Sequence, residues 1–441
     1  MRPGRIAPVV CAALMLAGCG GMGTPAASLG PKNPHKAAPR VRTTEYAYAP
    51  SGPRLPLAAL LDGPVRTLPG HSSVAAGFAP GFGFLLPHLV SEMGTDGATE
   101  DALWLINPNT GATTNLAAKV GLGPDYGGRY IGGGRVLWTP MFGSNGPLVY
   151  YLEDLATGTV ARYQVATRDL VQLTGAKIQR GFLYVSLDIG TTCTETTLSA
   201  RDLATGNVSG LVEAKTCQDV STAKAAPEPQ RTRGPLPLRL QHAAIDGWAL
   251  SGHTLYLVLV GTTPGLGSAS TLVCLDLRTG AVKSLLRSPG YFGSLAADSQ
   301  VIAFTEITGT IHLVYVLRKG GQRLVVLGDG SGVTVSGPLV TYQPDPAPGG
   351  LVYDSATGAV YRLPSRTAFP SLFNGYLVWT GAHGFSYAAS HRLSCKEPAQ
   401  KGSDRHAVER RSSTPGQDAG SRGCGLAWQD AFQTDTGVRL T

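Results

Sequence analysis

The side chains best suited to chemistry in this sequence are acidic. Asp96, Glu100, Asp101, Asp188, Glu306 and Asp345 fall between or at the ends of apolar runs. Carboxylates in such places can hold a cation or a polar ligand, or share acid and base roles on a sugar or lactone. The chemistry that leaves a local signature is missing. Gly384-Phe385-Ser386-Tyr387-Ala388 lacks the final Gly of a nucleophile elbow and the strand-to-helix setting it needs. Gly121-Leu122-Gly123 and Gly265-Leu266-Gly267 are lone glycine pairs, too short to cradle phosphates. Nine histidines are scattered, and no Cys-x-x-Cys or His-Cys cluster offers a zinc site. Neither a cofactor nor a metal is expected, and binding is favoured over catalysis, which stays open.

The acidic residues act together only if the elements between them converge, and those elements repeat. From Thr271 to Leu286 the chain reads T-L-V-C-L-D-L-R-T-G-A-V-K-S-L-L, an alternating strand, a turn at Arg278-Thr279-Gly280 and a returning strand. Gly supplies the positive φ of a tight turn, and the Asp before it can bond the turn backbone. Similar turns stand at Asn109-Thr110-Gly111, Ala156-Thr157-Gly158, Ala204-Thr205-Gly206, Ala356-Thr357-Gly358 and Asp435-Thr436-Gly437, with Lys319-Gly320-Gly321 in the one gap. Upstream of most lies another apolar run, such as Val136 to Thr139, Phe182 to Leu187 or Tyr376 to Thr380. The unit is a short strand, a longer strand, a loop, a third strand, the Thr-Gly turn and a fourth strand. Spacings of roughly 40 residues match a four-stranded propeller blade. High glycine and proline with only 15% charged residues suits many short strands joined by tight turns.

The hairpins D-L-A-T-G-x-V (Asp154 to Val160, Asp202 to Val208) and L-D-L-R-T-G-A-V resemble those of bacterial TolB-like and quinoprotein-like β-propellers. The resemblance covers most of Ala75 to Thr441. It implies an all-β fold, a single β-propeller of seven blades with six or eight left open, and says nothing of activity. Quinoprotein-type blades carry a Trp after the turn; Val282 to Leu286 and Val360 to Leu363 lack it, which speaks against that cofactor. Ala166-Thr167-Arg168-Asp169 competes as the third turn of the second blade, and Val65 to Leu68 could complete the last blade.

At the N-terminus, Arg2 and Arg5 precede a short apolar run, Ile6 to Met15, and then Leu16-Ala17-Gly18-Cys19. This resembles the lipobox of bacterial lipoproteins. It implies a signal peptide over residues 1–18 and a lipidated Cys19, with anchoring by more than one acyl chain. Residues 19–54, rich in Gly, Ala, Pro and Ser, read as a flexible tether, and residues 55–441 as the propeller. Location is therefore expected to be the outer side of the cell membrane. The net charge of +8 is spread without aromatic interleaving, so nucleic acid is not an expected partner. The membrane, through the anchor, and an envelope protein or polymer are.

Long connections gather on one face: those between second and third strands, an insertion near 215–244 between blades, and another near 396–423 placed inside the last blade. Rims of this kind carry binding residues, though scaffolds also tolerate insertions there. In this layout Cys193 meets Cys217, and Cys395 and Cys424 bracket the last insertion. Each bridge would be worth about 3 kcal/mol, and an exported location permits both. Cys274, in a strand, reads as a thiol packed between sheets. Trp138 and Trp379 hold similar strand positions and read as inter-sheet packing. The function expected is a lipid-anchored binding scaffold for a protein or envelope ligand; the alternative is a propeller hydrolase or lyase acting on sugars or lactones.

Overall fold

A computed structural model describes residues 45–48 and most of 54–391. Residues 1–44 and 392–441 and the connections 69–74, 89–101, 117–125, 141–147, 166–170, 218–235 and 262–269, with a few shorter ones, lie outside the described residues. Asp96, Glu100, Asp101, Cys19, Cys395, Cys424 and the Asp435-Thr436-Gly437 turn all fall there.

The described chain is all-β apart from one short 3-10 turn, Leu57–Ala59. Its strands follow one another as antiparallel meanders. Sheet A comprises Gly77–Ala79, Gly83–His88, Ala102–Ile106 and Thr113–Asn115. Sheet B comprises Tyr126–Gly132, Arg135–Pro140, Leu148–Asp154 and Val160–Val165. Its third and fourth strands are joined by the turn at Ala156-Thr157-Gly158 and not by the competing candidate at Ala166. Sheet C comprises Val171–Gln179, Phe182–Ile189, Cys193–Asp202 and Val208–Cys217, with Leu238–Gln241 added in parallel at its edge. Sheet D comprises Ala243–Ser251, Thr254–Gly261, Ser270–Asp276 and Val282–Ser288. The first strands of sheets A and B, of B and C, and of D and the next sheet are neighbours, as the inner strands of a β-propeller are.

Seven separate blades are not what the pairing gives. Sheets A to D and a last sheet F stand alone, five in all, and the rest is one nine-stranded sheet E. The cause is the strand Arg323–Ser336, whose 14 residues run through without a break. Its first half pairs with Ile311–Arg318 and its second half with Leu339–Pro344. A register shift between Ser331 and Thr334, with Gly332 at φ 66°, bends it midway. Val314 and Val316 of one half then pack against Val340 and Tyr353 of the other.

Sheet F corrects a second expectation. Its strands are Ala368–Phe373, Tyr376–Gly381 and Gly384–Ala389, and its fourth is Arg66–Leu68 from the other end of the chain. The third strand thus follows the second almost at once, so the segment 396–423 does not interrupt this sheet. The N-terminal strand instead supplies the closure. Val378, Phe385 and Tyr387 of sheet F pack on Phe84, Leu86 and Ile106 of sheet A. Arg66 donates to the carbonyls of Pro108 (2.8 Å) and Asn109 (2.6 Å), and Tyr387 Oη to Pro108 (3.1 Å).

Within the segment read as tether, Glu45–Tyr48 pairs in parallel with Arg323 to Val326; just beyond it, Leu55–Pro56 pairs with Tyr361 and Arg362. Both cover strand edges that would otherwise offer unpaired backbone.

Candidate functional site

The two faces of the ring are built from different turns. On one face the third strand returns through the same turn five times. Asn107, Asp154, Asp202, Asp276 and Asp354 each accept, through Oδ1, the N–H groups two and three residues on. The glycine that follows has φ between 65° and 77°, which a Cβ would strain. These turns close the face with short, identical chemistry.

On the opposite face lie the connections between second and third strands and between successive sheets. A regular feature marks the inner strands on this side. In sheets B, C, D and F, and in both halves of sheet E, the first strand carries a register shift. A bulge leaves a residue unpaired and re-aims its side chain. In sheet D the bulged residue is Asp246, between Ile245 and Gly247.

Asp246 is the residue around which polar groups of three sheets meet. The Tyr291 hydroxyl, from the first strand of sheet E, interacts with it. Burial, then that interaction and the negative charge of Asp246, push the Tyr291 hydroxyl up to about 12. Asp188, at the end of the second strand of sheet C, feels Asp246 as well. Its carboxyl is pushed upward, first by burial, with the charge of Asp246 adding; Thr196 Oγ1, donating to Oδ1 at 2.7 Å, works the other way. The two carboxylates therefore disfavour each other's charge, with the phenol close to one of them.

Of the acidic residues singled out from sequence, Asp188 belongs to this group. Glu306 does not: it accepts a short hydrogen bond from Ser288 Oγ, beside Gly290, where sheets D and E meet. Asp345 follows the strand Leu339–Pro344, and its backbone N–H bonds the carbonyl of Asp329. Among the described residues no hydrogen bond or ion pair joins Asp188, Glu306 and Asp345. Asp188 belongs to sheet C, whereas Glu306 and Asp345 belong to the two halves of sheet E. Nor do three His, Cys, Asp or Glu side chains among them gather closely enough to hold a metal ion.

Asp246 and Tyr291 escape sequence reasoning, yet a signal exists for the first. Asp246-Gly247 interrupts an apolar strand, and glycine inside a strand pattern marks a bulge. Gly128, Gly175, Gly293 and Gly332 stand at the equivalent shifts. Gly175 also makes room for sheet D, since a Cβ there would lie 2.8 Å from Trp248 Nε1.

Three cysteine and tryptophan expectations can be located. Cys193 and Cys217 stand directly opposite in the register of sheet C, their side chains lying outside the described residues. Cys274 is half-buried against the cluster between sheets D and E, and burial raises its thiol pKa. Trp138 and Trp379 are buried between sheets.

No family model matches the sequence, and no curated protein does. Similar solved structures exist. The β-propeller domain of the Trilobed protease from Pyrococcus furiosus is 9% identical at a TM-score of 0.47, over 73% of this chain and 93% of that one. TolB from Acinetobacter baumannii is 12% identical at 0.37, over 74% and 79%. Oligogalacturonate lyase from Vibrio parahaemolyticus is 12% identical at 0.33, over 65% and 96%. At such scores these likenesses add nothing to what the chain's own strand pairing shows. No helix among the described residues is long and apolar enough to cross a membrane.

Proposed function

We propose that this protein is a lipid-anchored propeller on the outer side of a bacterial cell membrane, and that it binds a protein or envelope ligand through the loop-bearing face. The observation that carries the reading is the asymmetry of the two faces. One is closed by five near-identical tight turns; on the other the second and third strands are joined by segments of unequal length, some as short as that between Thr308 and Ile311 and others outside the described residues, and Asp188, Asp246 and Tyr291 lie on that side. Rigid scaffolds place variable loops where they meet partners. The lipobox-like Cys19 supports the anchor, and the opposed positions of Cys193 and Cys217 support a disulfide at the edge of the same face.

The acidic group also supports the second reading, a hydrolase or lyase for sugars or lactones, because paired carboxylates with unequal proton affinities divide acid and base roles. Cross-linking in the native envelope separates the two. The wild type should capture one dominant partner, and an Asp188→Asn, Asp246→Asn double variant should still capture it, at reduced yield. A Cys19→Ala variant should move from the membrane to the soluble fraction. Capture of no specific partner by the wild type would overturn the scaffold reading. Turnover of an envelope sugar or lactone, abolished by Asp246→Asn alone, would establish the enzymatic one.

A further inference from the structure

On the face closed by the tight turns, cations from three sheets gather around one connection of sheet D. It joins Ala243–Ser251 to Thr254–Gly261, and its His253 carbonyl accepts the Leu277 N–H at 2.8 Å, which sets it beside the Asp276 turn. Lys177 of sheet C donates to the Leu250 carbonyl at 2.7 Å. Lys319, just past the third strand of sheet E, donates to the neighbouring Ser251 Oγ at 2.8 Å. Both lysines are partly buried. Arg180 Nη1 lies 3.4 Å from His253 Nε2. Burial, then the charges of Arg278 and Arg180, lower the pKa of His253.

The carboxylates nearby do not balance this charge. Asp276 Oδ1 accepts the N–H groups of Arg278 and Thr279. Asp298 accepts that of Ser299 through Oδ1 and that of Gly337 through Oδ2. Among the described residues neither lysine has a carboxylate partner. Each ammonium carries three N–H donors and directs one of them to a neutral oxygen of the protein. Two such charges, withdrawn in part from water, call for a counter-charge with oxygens to accept the remaining donors. We propose that this corner of sheet D binds a small inorganic dianion, of the sulfate or phosphate kind, between Lys177 and Lys319, with Arg180 and Arg278 adding to the attraction. The site is separate from the loop-bearing face and does not depend on the function proposed for it.

The test titrates the full chain calorimetrically with sodium sulfate at pH 7, ionic strength being held with sodium chloride. Sulfate should bind saturably, one ion per chain. Inorganic phosphate is titrated in parallel, and the tighter of the two names the ion. Acetate, with one charge, should bind more weakly than either. Lys177→Met and Lys319→Met should each weaken sulfate binding by roughly tenfold or more, the loss of one hydrogen bond from a charged donor. Lys283→Met, on the exposed outer strand of sheet D, should leave it unchanged. Absence of saturable binding by both dianions overturns the proposal, as does acetate binding as tight as sulfate. So does sulfate binding that survives either inner-lysine variant, or that Lys283→Met weakens equally. Should one inner-lysine variant fail to fold, the other still decides, because each ammonium is required on its own.

Discussion

The turn acceptor shows how far a single residue's chemistry can be read locally. Four of the five turns use Asp, and the first uses Asn107, whose amide oxygen accepts the same two N–H groups. The turn therefore needs an oxygen and not a charge. Where the acceptor is a carboxylate, its ionisation becomes coupled to folding. The N–H groups of Ala204 and Thr205 hold the Asp202 carboxyl below its usual range. Its folded pKa is below the unfolded value of about 4, so its contribution is complete above that value and is lost as pH falls through the folded one. Asp202→Asn should remove this dependence. Thermal midpoints of the two proteins, followed from pH 6 to pH 2, should converge or cross as acid is added; parallel curves would count against the argument. These turns were legible because all their partners lie within a few residues. Asp246 was not, because Asp188 and Tyr291 reach it from other sheets.

Among the elements, strands were easy to recognise and their company was not. Runs such as Val301 to Thr305 and Leu339 to Tyr342 are short, mostly apolar and buried on both faces, and they are strands. What an apolar run cannot show is continuity. Arg323–Ser336 contains three glycines, yet its backbone pairs along its whole length with two different neighbours. Closure was legible in part: Val65 to Leu68 stood as a candidate to complete the last sheet, and Arg66–Leu68 does so. The Thr-Gly turn at Asp435 looks like the others, and it drew the last sheet toward the C-terminus. Gly384–Ala389 already fills the third place, and Arg66–Leu68 the fourth. That short strand is held by three cross-strand pairs and by Arg66, which reaches the Asn109 turn of sheet A. Arg66→Ala should cost about 1 kcal/mol, toward the low end for bonds from a charged donor because Arg66 is exposed. Hydrogen exchange should report it locally, with faster exchange at 66–68 and 384–389 and no change at 254–276. A uniform rise across all sheets would show that the strand is not a separate closing element.

For the molecule as a whole, cohesion rests on apolar clusters between neighbouring sheets, and a few polar links cross the same boundaries. Lys177 of sheet C donates to the Leu250 carbonyl of sheet D at 2.7 Å. Lys319, following the third strand of sheet E, donates to Ser251 Oγ of sheet D at 2.8 Å and lies 5.1 Å from the Tyr256 ring centre. Asp298 favours the charge on both lysines and accepts the N–H of Gly337 at 2.6 Å. Burial outweighs that help. It lowers the pKa of Lys177 and brings Lys319 down to about 8, the charge of Lys177 adding to the effect on Lys319. The unfolded chain keeps a lysine proton up to about pH 10. Between those values the unfolded state binds more protons, so this group makes the fold more stable as pH rises from 8 toward 10. At neutral pH it is a charge held at a loss. Lys319→Met keeps the side-chain length and removes the charge. The variant should melt above the wild type at pH 7, and the gap should narrow steadily by pH 10. A gap independent of pH would mean that the lysine's bond to Ser251, and not its ionisation, governs how sheets D and E hold together.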